Sequence, residues 1–173
     1  MKRFPFLLLD TGPIIKLFQL GIWDEFIAKC DVAISRTVAE QAQYASQEFE
    51  DIPIDLKPYE EQDLIEIIDV EPSIVKTFYD KFDLTYKADI HDGEKETLAF
   101  LDNSSENWLV CSADGAVFRV LGLLGRAEQG ISLEEILKAV GLPQRLDWEH
   151  TQKFREGYTR LGRIDSVQDK GLL

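Results

Sequence analysis

Short apolar runs alternate along this chain with stretches in which apolar residues recur every three or four positions. Phe6-Leu7-Leu8-Leu9 is an unbroken apolar run, which suits a strand buried on both faces of a sheet, and Asp10 ends it. Residues 14–20 then predict a helix stopped at Gly21, with Thr11 able to cap it and Pro13 suited to its first turn. The pattern continues with a short helix over 22–29, a strand over 31–35 and a helix from Thr37 to about Ser46. Further on it predicts a short helix near 60–64, a strand over 65–70, and a helix from Pro72 carrying Ile74, Val75, Phe78, Tyr79 and Phe82. Residues 91–101 read as a helix, 108–111 as a strand and 113–124 as a helix. Ser132-Leu133-Glu134-Glu135 is a capping box that opens a helix to Val140. A last amphipathic helix is predicted over 148–161, with the residues after Arg163 loose.

Strands alternating with helices argue for an α/β fold, three layers deep, around a mainly parallel sheet. The expected division is a sheet domain over 1–142 with a C-terminal helical extension, 143–173, packed on it. Two cysteines beside apolar runs, Cys30 and Cys111, read as buried free thiols. No segment approaches the length of a membrane span, and the apolar stretch after Lys2 and Arg3 is too short for a signal peptide. A cytoplasmic protein without membrane partners is the expectation.

Charge changes the picture. The chain carries a formal charge of -13, and ten acids against one lysine fall between Glu48 and Glu71. Such a field repels nucleic acid at long range, so a phosphate-bearing substrate needs metal ions or a local basic surface. Four acids occupy comparable places: Asp10 at a strand end, Glu40 one turn into a helix, and Glu94 and Asp114 in or before the first turns of two others. Each has a structural alternative. Asp10 and Asp114 can cap helices, Thr37 to Glu40 fits a capping box, and Glu94 suits a helix dipole. If a parallel sheet gathers them at one edge, their repulsion calls for hard divalent cations such as Mg²⁺ or Mn²⁺.

Four stretches together resemble the PIN-domain nucleases. They are Leu7-Leu8-Leu9-Asp10-Thr11-Gly12-Pro13, Ile34-Ser35-Arg36-Thr37-Val38-Ala39-Glu40, Gly93-Glu94-Lys95-Glu96-Thr97-Leu98-Ala99, and Ser112-Ala113-Asp114 with Arg119 beyond it. The resemblance implies a PIN-like domain and an Mg²⁺- or Mn²⁺-dependent ribonuclease, often the toxin of a toxin–antitoxin pair. It places Asp10, Glu40, Glu94 and Asp114 as catalytic and metal-binding acids, with Asp92 competing for the third place. Thr11 and Ser112 are candidates to support a carboxylate, and Lys16 and Arg119 to contact phosphate. The implied chemistry is metal-assisted hydrolysis, which requires no serine, cysteine or histidine nucleophile. RNA is the implied substrate, with an antitoxin and a second copy of the chain as candidate partners. The alternative is the same fold with its chemistry lost, serving as a protein-binding module. A phosphoacceptor role for Asp10 is a weaker rival, since no second acid lies beside it.

Overall fold

The structure is a computed structural model that describes residues 2–48 and 53–173. Part of the acidic stretch, residues 49–52, therefore lies outside the described residues. In chain order the elements are β1 (Phe4–Leu9), α1 (Thr11–Gln19), α2 (Trp23–Lys29), β2 (Cys30–Ser35), α3 (Arg36–Glu48), α4 (Lys57–Glu61) and β3 (Ile65–Ile68). There follow α5 (Pro72–Tyr79), α6 (Leu84–Asp89), α7 (Asp92–Asn103), β4 (Leu109–Cys111), α8 (Gly115–Leu123), β5 (Gly130–Ile131), α9 (Leu133–Ala139) and α10 (Gln152–Val167).

The five strands form one parallel sheet in the order β3-β2-β1-β4-β5. β1 is central, with Leu8 opposite Ala33 on one side and Val110 on the other. Its side chains alternate between faces, as a strand's must. Leu7 and Leu9 join Ile14, Phe26 and Leu137 in one core. Leu8 joins Phe82, Leu98, Phe118 and Leu121 in the other. Helices cover both faces, so the fold is a three-layer α/β/α sandwich. Trp23, Phe78 and Phe82 are core residues, and Cys30 and Cys111 are buried free thiols. Among the described residues no helix is long and apolar enough to cross a membrane.

Several boundaries differ from the sequence pattern. α1 starts at Thr11 rather than near Ile14, because Asp10, not Thr11, is the cap: its carboxylate accepts from the Thr11 amide at 2.9 Å. Phe6 takes a left-handed φ of 52°, and its ring turns out of the sheet edge-on to Trp108 at 5.3 Å. α6 and the two-residue β5 have too few residues to show a period. The capping box at Ser132 and Glu135 forms as expected.

The end of the chain is ordered rather than loose. α10 continues to Val167, and residues 171–173 pair with 81–83, Asp83 donating its amide to the Gly171 carbonyl at 2.8 Å. α10 crosses α8 where Gly122 and Gly162 remove the side chains that would hold the helices apart. Phe154 of α10 belongs to the same core as Phe118 and Leu121.

Candidate metal centre at the sheet switch point

β1 and β4 are neighbours in the sheet, yet one continues toward β2 and the other toward β5. The connections leaving their carboxyl ends therefore diverge, and open α/β sheets bind ligands in the crevice this creates. Asp10 follows β1 and Asp114 lies three residues beyond β4, so both arrive at that crevice. α7 brings Glu94 from its first turn, where the carboxylate accepts from the His91 amide at 2.8 Å. α3 supplies Gln41. Together with Thr11, His91 and Ala113 these residues line a cleft of about 420 Å³.

The acids are held firmly. Asp10 is 6% exposed and accepts from Ser112 Oγ at 2.6 Å as well as from Thr11. Ser112 Oγ in turn accepts the Asp114 amide at 3.0 Å, so one hydroxyl ties the β1 acid to the β4 loop. Asp114 caps α8 through the Ala116 amide at 2.9 Å and leaves its second oxygen toward the cleft. Gly93 lets α7 close on α3, since a Cβ there would lie 2.6 Å from Gln41 Oε1. His91 stands at the rim, its side chain 71% exposed, with Nδ1 3.5 Å from Glu94 and 3.9 Å from Asp114. Ligand atoms of His91, Glu94 and Asp114 all fall within 4.8 Å of one another.

Electrostatics shows what the cluster needs. Burial, a hydrogen bond with Asp114, and the charges of Asp10 and Asp114 push the Glu94 carboxyl up to about 9. Burial also raises Asp10, against the bonds from Ser112 and Thr11. Without a cation the group therefore keeps a proton at neutral pH. A divalent ion held by His91, Glu94 and Asp114 would replace that proton with a positive charge. The donor set of two carboxylates and an imidazole fits a divalent cation.

The raised Glu94 pKa carries a stability prediction. Between its ordinary 4.5 and about 9 the folded chain holds a proton that the unfolded chain has released. The associated stability is present below the lower value and is lost as pH rises toward the upper one. Denaturant midpoints of the metal-free protein should therefore fall from pH 6 to pH 9. Glu94→Gln, which cannot ionise, should flatten this fall and be more stable by about 1–2 kcal/mol at pH 9.

Not every residue expected at the site is there. Glu40 is exposed on α3, one position and about 100° from Gln41, which takes the place in the cleft. It forms no capping box either. Ser35 Oγ accepts the Val38 amide at 3.3 Å, and Glu96 of α7 takes the Thr37 hydroxyl at 2.6 Å. Asp92 points to solvent and pairs with Lys95 at 3.1 Å, so Glu94 is the third acid of the cleft. Lys16 pairs with Asp147 at 2.6 Å. Arg119 pairs with Asp165 at 2.6 Å and lies over the Tyr86 ring. Both cations thus bind the C-terminal segment to the sheet domain and do not line the cleft. The sequence pattern favours a helix-start role for His91 and passes over Gln41. Only the spacing of His91 three residues before Glu94 hints at their meeting.

Comparison of the chain with protein-family models and with curated proteins gives no match.

Proposed function

We propose that this protein is a divalent-metal-dependent ribonuclease of PIN-like character, hydrolysing phosphodiester bonds in RNA. One observation carries the reading: three carboxylates from β1, α7 and β4 converge at the sheet switch point, two of them buried and raised in pKa. Acids so placed without a catalytic or binding role are costly, because no lysine or arginine among the described residues lines the cleft to neutralise them. Glu94 and Asp114, with His91 at the rim, would hold the ion, Mn²⁺ or Mg²⁺, with the Asp10 charge beside it in the same cleft. When bound, it supplies an activated water for attack on phosphorus and offsets the charge developing on the phosphoryl oxygens.

The chain's own groups do the rest. Ser112 fixes the Asp10 carboxylate through its 2.6 Å bond. Thr11 holds Gln41 at 3.1 Å and so keeps the floor of the cleft in place. On this reading an antitoxin protein is the expected regulator.

Gln41 favours one rival. A neutral amide stands where a further acid was expected, as in a protein-binding module that has lost its chemistry. Calorimetric titration with Mn²⁺ and incubation with unstructured RNA separate the two. The nuclease binds Mn²⁺, cleaves the RNA, and stops in EDTA. It also loses at least about tenfold in Mn²⁺ affinity on Asp114→Asn, and affinity rises with pH as the Glu94 proton is displaced. A chain that takes up no Mn²⁺ and leaves RNA intact is the silent module.

A further inference from the structure

We propose that Tyr158 and Trp148 form a stacking platform beside the acid cluster that takes the unpaired bases of single-stranded RNA. The inference rests on the nuclease reading and names how that site selects its substrate. Gly115 follows Asp114 directly and has no side chain, and the Tyr158 ring fills the space: a Cβ on Gly115 would lie 2.4 Å from Tyr158 Cε1. The ring thus rests on the backbone next to a cleft acid, yet Tyr158 remains 38% exposed. Phe154 lies 4.8 Å from Tyr158, and Trp148 lies edge-on to Phe154 at 6.3 Å. Phe154 is buried against Phe118 and anchors the row, whereas Trp148 is 60% exposed. The neighbouring Asp147 is tied to Lys16 of α1. The row therefore touches α8 at Gly115, and the residue before Trp148 is tied to α1 at Lys16.

The charge balance gives these rings a task. The chain carries -13, and no lysine or arginine is among the described residues lining the cleft. Positive charge within the cleft is therefore not what holds a polyanion there. Base–aromatic stacking tolerates every base, because each has a π-face. It requires bases that are not already stacked and paired in a duplex, so the platform selects single strands. Tyr158 and Trp148 act as positioning residues: they hold the strand while its phosphate meets the acids.

The test is equilibrium binding of a fluorescein-labelled, unstructured 12-nucleotide RNA to the full chain, with Ca²⁺ in place of Mn²⁺, followed by anisotropy. Tyr158→Leu and Trp148→Leu keep apolar volume but remove the π-face, and each should weaken binding about tenfold. Tyr158→Phe and Trp148→Phe should bind within about twofold of the original chain, and duplex RNA of the same sequence should compete poorly. Mn²⁺ affinity should not move in the leucine variants, and the denaturant midpoint should not move in Trp148→Leu, whose ring is the more exposed; Tyr158→Phe, which keeps the ring over Gly115, separates loss of the π-face from loss of packing at Tyr158. Full RNA affinity in both leucine variants, equal competition by duplex, or no RNA binding by the original chain each overturns the platform. Mn²⁺-dependent cleavage, measured separately, then decides the nuclease reading on its own.

Discussion

Asp10→Asn should lower Mn²⁺-dependent RNA cleavage by at least about 10²–10³-fold while the protein stays folded. The catalytic loss follows from charge. Asp10 is the most enclosed acid of the cleft, and its carboxylate is the one an incoming cation most needs to offset burial. An amide of the same shape supplies no negative charge, so the stabilisation of the transition state through the ion fails, a loss of roughly 3–4 kcal/mol in the barrier. The fold should survive for a separate reason. The carbonyl oxygen of the new amide can still accept from the Thr11 backbone, which lies 2.9 Å from the Asp10 carboxylate. The amide nitrogen can donate to Ser112 Oγ, which has a second lone pair beside the one used by the Asp114 amide. Removing an acid that burial already pushes up also relieves a cost. The metal-free variant should therefore unfold at the same or higher denaturant concentration. Undiminished cleavage by a folded Asp10→Asn protein would remove Asp10 from the reaction.

How far the site could be seen in the sequence depends on what kind of information each residue needed. Asp10 was legible because an unbroken apolar run ends on it, and such a run in an α/β pattern belongs to a central strand. Asp114 was legible as the residue that opens the helix after the short apolar run of β4. Glu40 was not, although the helix that carries it was. Rotation by one residue on α3 turns a side chain about 100°, and the packing of Val38, Ala39 and Ala42 sets the rotation that shows Gln41 to the cleft. No local pattern distinguishes these neighbours. The ion pairs of Lys16 and Arg119 could not be read locally, because their partners, Asp147 and Asp165, lie more than forty residues away and in a segment that read as an appendage. The Arg119–Asp165 pair, joined by the Tyr86 hydroxyl at 2.5 Å, is instead the polar lock that keeps α10 on α8. The same limit applies to Tyr158. Its position beside Asp114 depends on Gly115 being bare, and the meaning of that glycine appears only once α10 is laid against α8.

Gly162→Ala should destabilise the protein by about 3 kcal/mol or more, although alanine is the better helix former. In an exposed helix the exchange favours alanine by up to about 1 kcal/mol. At Gly162 a Cβ would lie 1.9 Å from the Arg119 carbonyl oxygen and 2.7 Å from the Leu123 amide nitrogen. Both are backbone atoms of α8, so no flexible side chain can move aside; the helices must part. Overpacking in a well-filled interior costs about 1–3 kcal/mol where side chains can yield. Here the separation would also stretch the bonds from Arg119 to Asp165 and lift Phe154 from Phe118. Gly157 is an internal control on the same helix. Nothing lies within 4 Å of a Cβ built there, so Gly157→Ala should be neutral or slightly stabilising. Urea denaturation of the two variants measures the difference directly. The same displacement would carry Tyr158 away from Gly115, so Gly162→Ala should weaken single-stranded RNA binding even under conditions where the protein is still folded. Equal stability of the two alanine variants would mean that α10 does not approach α8 so closely, and the seat of Tyr158 beside the acids would go with it.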